Sequence, residues 1–98
     1  MYNHIIHPIA QKEFETSVER YSIRSEKAVR NFILEVGNTI ETICSNPYQF
    51  RNEYKNFHEL GLKKYPFSII YVINDSLSLI VITSVFHHKR NPKKKIRK

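Results

Sequence analysis

Residues 63–90 read KKYPFSIIYVINDSLSLIVITSVFHHKR, and this stretch decides the architecture. From Phe67 to Ile73 six of seven residues are apolar or aromatic, and from Leu77 to Phe86 seven of ten are. Ile, Val, Tyr and Phe dominate both runs, and their branched or flat side chains fit a pleated surface, so both runs are predicted as strands. Between them Asn74-Asp75-Ser76 tolerates turn dihedrals and bonds back to its own backbone, which pairs the runs antiparallel as a hairpin. The hairpin is apolar on both faces, and water will not tolerate it bare. The upstream chain therefore has to act as cover.

Immediately upstream, alternation from Asn56 to Lys63 puts His58, Leu60 and Leu62 on one face and Phe57, Glu59 and Gly61 on the other. That is a weaker strand pattern, leading into the hairpin. Tyr48 to Tyr54 carries aromatics without a period and reads as a loop over one end of the core. Before it, Ala28, Val29, Phe32, Ile33, Val36, Ile40 and Ile43 trace a helical stripe from Glu26 to Cys44, stopped by Asn46-Pro47. Gly37 inside this run marks either a close crossing or a tolerated surface position. Ala10, Phe14, Val18 and Tyr21 trace a first amphipathic helix from Ile9 to about Tyr21, opposite a polar face of Gln11, Lys12, Glu15, Glu19 and Arg20. Ser22 to Ser25 links the two helices, and Ser25 is placed to cap the second. Tyr2 to His7 is a brief strand ending at Pro8, a residue suited to a helix's first turn.

The predicted fold class is α+β. An N-terminal strand and a helical hairpin precede a three-stranded antiparallel meander, β-α-α-β-β-β, with the helices on one sheet face. Ninety-eight residues suffice for one domain, assigned to 1–90, with a basic tail at 91–98. Two helices cover only one face of a sheet that is apolar on both. The other face is expected to meet a partner, by dimerisation or by binding a peptide or protein segment.

Charge is distributed unevenly along the chain. Of sixteen Lys and Arg residues seven lie in the last ten positions, and the other nine are balanced by nine Asp and Glu. Lys89, Arg90, Lys93, Lys94, Lys95, Arg97 and Lys98 form a block without an acid, broken only by Asn91-Pro92 and Ile96. Such a block is either a solubilising tail or a contact for nucleic acid, an acidic protein segment or an acidic target surface. The longest strongly apolar stretch is about half of a membrane-spanning helix and no signal-peptide pattern follows Met1, so a cytoplasmic protein without membrane partners is expected. Cys44, the single cysteine, falls on the helical stripe and is expected to be packed. His4, His7, His58, His87 and His88 have no spacing that gathers ligands, so no metal or cofactor is expected.

The segment from Asn46 to Pro92 resembles the second half of the RelE/ParE superfamily, the toxins of bacterial type II toxin-antitoxin modules. The landmarks are Asn46-Pro47, Tyr65-Pro66-Phe67 leading into Ile70-Tyr71, the Asn74-Asp75 turn, and Val85-Phe86-His87 followed by Arg90-Asn91-Pro92. With the strand and helices before them, the resemblance covers nearly the whole chain. It implies a small α+β toxin neutralised by an antitoxin whose extended segment and helix wrap it, in a complex that can be of higher order.

Two branches of the superfamily imply different chemistry. RelE-like members are ribosome-dependent messenger ribonucleases that need a base, an acid and fixed cations around one phosphate. On that branch His87 is the candidate acid or base, Glu59 the second proton-transfer group, and Lys63 and Lys64 the phosphate contacts. The position where such nucleases carry an arginine is here Phe67-Ser68-Ile69. ParE-like members bind DNA gyrase and trap or inhibit it, and Tyr65-Pro66-Phe67 is more similar to theirs, although His58-Glu59 stands where they often carry an arginine. The favoured expectation is a gyrase-directed toxin without catalytic residues. Its target or antitoxin contacts would be Tyr65, Phe67, Tyr71, Lys89, Arg90, Lys93, Lys94 and Lys95. The alternatives are a ribonuclease acting on mRNA at the ribosome, and a non-toxic degenerate binding module. Deleting residues 91–98 is expected to weaken growth arrest or antitoxin binding. If induction assays and pull-downs showed both unchanged, the block would be a solubilising tail.

Overall fold

In a computed structural model, which describes residues 1–90, the helical hairpin begins where proline costs least. Strand β1 (Asn3–Ile6) ends one residue before α1 (Pro8–Arg24), whose first-turn proline lacks only a donor that would have no intrahelical partner. His7 caps α1, its Nδ1 accepting the Ile9 N–H at 3.1 Å. A single residue, Ser25, joins α1 to α2 (Glu26–Ser45) and serves both helices. Its N–H donates to the Tyr21 carbonyl at 3.1 Å, and its Oγ accepts the Ala28 N–H at 2.9 Å. The expected four-residue link is therefore shorter, because nothing in Ser22-Ile23-Arg24 breaks a helix. A Cβ at Gly37 would meet nothing within 4 Å, which makes it a surface glycine.

After a 3-10 turn at Pro47–Gln49 come β2 (Arg51–Tyr54), β3 (Phe57–Gly61), β4 (Phe67–Asn74), a second 3-10 turn at Asp75–Leu77, and β5 (Leu79–His87). All strands lie in one sheet of order β1-β5-β4-β3-β2, in which β1 runs parallel to β5 and the other neighbours are antiparallel. The expected α+β order holds, with one strand more than the sequence suggested. The segment expected to be a loop contains β2, paired to β3 through Arg51↔Glu59 and Tyr54↔Phe57. Asn52 closes that hairpin by donating from Nδ2 to the Lys55 carbonyl at 2.9 Å, with Lys55 in the left-handed region at φ 48°. Four residues, with Arg51, Asn52 and Tyr54 exposed, offer too few alternations to show a period.

Both helices pack on the same sheet face. Phe32 of α2 is fully buried, with ring centroids of Tyr21, Phe67 and Tyr65 at 4.9, 5.2 and 5.3 Å and that of Phe14 at 6.0 Å. Burying a side chain of this size contributes roughly 1.5–3 kcal/mol. Val36, Ile40, Ile43 and Cys44 extend this core over Ile69, Tyr71, Ile80 and Ile82. Burial pushes the Cys44 thiol pKa up, as the packed reading requires. Tyr65, Phe67 and Tyr71, expected as target or antitoxin contacts, pack in this core, with Phe67 and Tyr71 buried and Tyr65 half-buried at its edge. Tyr71 is fully buried and donates its hydroxyl to the Pro47 carbonyl at 2.6 Å, while Tyr65 donates to the Ala28 carbonyl at 3.2 Å.

The opposite face is less open than two helices would leave it. At the end where β5 terminates, Ile70, Phe86, Ser68 and Ser84 are buried. The Arg90 guanidinium lies 5.1 Å over the Phe86 ring, and His88 Nε2 is 2.8 Å from Ser68 Oγ. Toward the other end a row of side chains crosses four strands in register, Ile5, Val81, Val72 and Phe57. Ile5 is 52% exposed and the other three are half-buried, so apolar surface on this face runs along that row. Among the described residues no helix is long and apolar enough to cross a membrane.

Asp75, in the turn between β4 and β5, accepts hydrogen bonds from the hydroxyls of Tyr2, at 2.7 Å, and Tyr48. The N-terminus, the segment after α2 and the central hairpin are thereby joined at one carboxylate. Both donors favour the ionised form and hold Asp75 below the ordinary aspartate pKa, while Tyr48 is pushed up to about 12. A depressed carboxylate contributes stability above the unfolded-state pKa and loses it as pH falls through the folded-state value. Denaturant titrations from neutral to acid pH should show that loss in the native chain and a flatter profile in Asp75→Asn. Identical slopes would mean that the contact carries no linkage.

Candidate functional site

A bulge near the end of β5 decides which way the candidate residues face. Ile82 pairs with Tyr71 and Ser84 with Ile70, so Thr83 is extra on β5, its Oγ1 donating to the Ile70 carbonyl at 3.2 Å. One inserted residue inverts the alternation beyond it. Ile80 and Ile82 face the helices, and after the bulge Val85 does so as well. His87 follows Val85 onto the helix side, opposite Phe67 in register, with its ring edge-on to the Phe67 ring at 4.8 Å.

The bulged edge is held by α1. Strand β1 pairs with β5 only as far as Ile82, where the His7 N–H donates to the Ile82 carbonyl at 2.8 Å. Beyond that point Glu13 takes the place of a neighbouring strand. Its Oε1 accepts from Ser84 Oγ and from the Val85 N–H, both at 2.9 Å, and its Oε2 accepts from Arg90 Nη1. The Glu13 side chain is 13% exposed, so these charge-assisted bonds form largely away from water. Glu13 is a functional residue that the sequence pattern does not mark out. Its only signal is position, beside Phe14 and three residues after Ala10, on the flank of the apolar stripe.

His87 lines a small cavity between α1 and the end of β5, with Ser17, Arg20, Tyr21, Arg24 and Phe67. Burial, and then the charges of Lys89, His88, Arg20 and Arg90, push its pKa below the ordinary histidine value. Nδ1 accepts the Lys89 N–H at 3.0 Å, so the proton of the neutral ring sits on Nε2. Arg20 and Arg24 are further residues of this neighbourhood that the sequence did not single out, since a charged helix flank has no visible partner before folding.

The other candidate residues fall elsewhere. Glu59 pairs with Ile70, on the face opposite the helices, so the sheet itself lies between Glu59 and His87. Lys63 and Lys64 follow β3 and line a groove of about 510 Å³ against α2, where the Lys64 N–H donates to Glu35 Oε2 at 2.9 Å. His87 lies on the α1 flank instead. Lys89 is exposed in the turn after β5, and Arg90 is held between Glu13 and Phe86. Lys93, Lys94 and Lys95 lie outside the described residues. Among the described residues no three His, Cys, Asp or Glu side chains gather as metal ligands.

Glu13→Ala would strand the donors of Ser84 and Val85 at a buried bulge and is expected to cost about 2–4 kcal/mol in urea denaturation. Arg90→Ala should cost less, because its guanidinium is 38% exposed and the two bonds to β5 survive. The reverse order would show that the ion pair, rather than the edge contact, holds the bulge.

Comparison with known proteins agrees with this architecture. A sequence model described as the ParE toxin of the type II toxin-antitoxin system, parDE, matches residues 5–92. Comparison with curated protein sequences finds no match. Among solved structures the chain is similar to one titled as the chromosomal ParDE TA system from P. aeruginosa, with a TM-score of 0.75 at 14% identity, covering 89% of this chain and 96% of that one. It is also similar to the isolated E. coli RelE toxin, with a TM-score of 0.65 at 13% identity, covering 97% of this chain and 93% of that one. At these identities the structural likenesses establish the fold, and the family rests on the sequence match over residues 5–92. The chain belongs to the ParE toxin family of type II toxin-antitoxin systems, a membership that implies an antitoxin partner.

Proposed function

We propose that this chain arrests growth by holding DNA gyrase rather than by cutting RNA. The observation that carries the reading is the separation of the groups a ribonuclease would need. Cleavage at a ribose 2′-hydroxyl requires a base, an acid and cations converging on one phosphate. Here His87 faces α1, Glu59 lies across the sheet, and Lys63 and Lys64 line the α2 groove. The β4 start, Phe67-Ser68-Ile69, supplies no guanidinium to a phosphate, since Phe67 and Ile69 are core and Ser68 is bonded to His88. Binding a protein target places no such demand on convergence. A rigid scaffold with an exposed cationic residue at Lys89 suits it.

Pulse labelling in the minutes after induction, with the antitoxin absent, tests this reading. Thymidine incorporation should fall first while translation continues, and purified chain should inhibit supercoiling by gyrase. His87→Ala should keep both effects within about threefold, since the imidazole is assigned no proton transfer. An early fall in amino-acid incorporation, abolished by His87→Ala, would make the protein a ribonuclease with His87 in its chemistry. No effect on either label would point to a non-toxic module.

A further inference from the structure

The cavity beside His87 has a composition that neither the core nor the gyrase reading requires. It is small, about 120 Å³, and lies between one flank of α1 and the end of β5. Arg20 and Arg24 are one helical turn apart, so their side chains leave α1 on the same side. Arg24 is steadied over the Tyr21 ring, 5.7 Å from its centroid. Among the described residues neither guanidinium has a carboxylate partner, and the nearby acid that could serve, Glu13, is occupied by Ser84, Val85 and Arg90. His87 adds its Nε2–H as the ring's remaining donor, because Nδ1 is taken by the Lys89 N–H. Two guanidinium forks without a carboxylate partner among the described residues, and an imidazole donor, thus border a cavity with aromatic walls at Tyr21 and Phe67.

We propose that this cavity seats the carboxylate of a glutamate or aspartate from an acidic protein segment docked across the α1–β5 junction. Guanidinium forks bind a carboxylate in a planar two-bond geometry, and the aromatic walls pack the methylenes that carry it. A nucleic-acid phosphodiester fits less well, since it has an ester arm on each side and needs a groove open at both ends. Burial first, and then the positive neighbours, push the His87 pKa down, and a carboxylate seated beside the ring would oppose the second of these. Charges facing the imidazole come from Arg20 and Arg24 on α1 and from His88, Lys89 and Arg90 after β5, with Glu13 bonded to Arg90. The inference goes beyond the gyrase reading and survives its failure, because it concerns a protein contact and not a target.

The test is NMR on the full chain, made by cell-free synthesis, titrated with acetyl-Glu-Glu-Glu-amide. Inorganic phosphate, a short DNA duplex and sodium chloride at matched ionic strength form the comparison arms. With the peptide, the His87 ring and the Arg20 and Arg24 Nε–H resonances should shift saturably, and the His87 titration midpoint should rise further than in matched salt. Arg20→Ala and Arg24→Ala should each weaken the apparent Kd by about tenfold, whereas Lys27→Ala on α2, outside the cavity, should leave it unchanged. Both arginines are exposed, and each variant's amide spectrum establishes that it folds. Shifts that only follow ionic strength, binding indifferent to both arginine variants, or a stronger saturable response to phosphate or DNA would each overturn the assignment.

Discussion

Much of this small fold depends on one carboxylate doing the work of a missing strand. β5 is flanked by β4 along its length but by β1 only as far as Ile82. Past that point its edge would present unsatisfied donors, which a buried position penalises by about 1–3 kcal/mol each. Glu13 meets them from α1 and binds Arg90 with its second oxygen. The first helix, the bulge at Thr83 and the start of the basic segment are therefore parts of one arrangement. A side chain on α1 specifies where β5 changes face.

That change of face has chemical consequences. Had β5 kept strict alternation beyond Ile82, His87 would share a face with Ser68, Ile70 and Glu59. A base and an acid on one sheet face would then have been a reasonable nuclease pair. With Thr83 inserted, His87 joins Phe67 on the helix side and meets Arg20 and Arg24 instead of Glu59. Partial burial, and then its positive neighbours, disfavour its protonation.

The aromatic residues divide by the same logic. Phe14, Tyr21, Phe32, Tyr65 and Phe67 converge between the helices and the sheet, and the hydroxyls of Tyr65 and Tyr71 end on backbone carbonyls. Their energetic role is burial, which a 98-residue chain with a single core needs more than surface recognition. On the sheet face away from the helices apolar area runs along the row Ile5, Val81, Val72 and Phe57, and the exposed cations near the end of β5 include Arg20, Arg24 and Lys89. Family membership adds an antitoxin partner to a body whose cations and acids balance before the final ten residues.

Residue pattern alone determined the order of strand, helical hairpin and strands, the α+β class, the turn at Asn74-Asp75-Ser76 and the Ser25 cap. Each of these follows from contacts within a few positions along the chain, where periodicity and turn chemistry act. Four-residue β2 leaves no mark in the sequence pattern because it is too short for alternation to register. Ser22-Ile23-Arg24 resembles a link in the sequence because the apolar stripe ends at Tyr21, before the helix does. The parallel docking of β1 against β5, the exchange of strand pairing for Glu13 and the resulting side of His87 were decided only by tertiary structure. They depend on which donors are left over once distant segments have packed. A carboxylate at position 13 and an imidazole at position 87 acquire their surroundings only when α1 lies along the edge of β5.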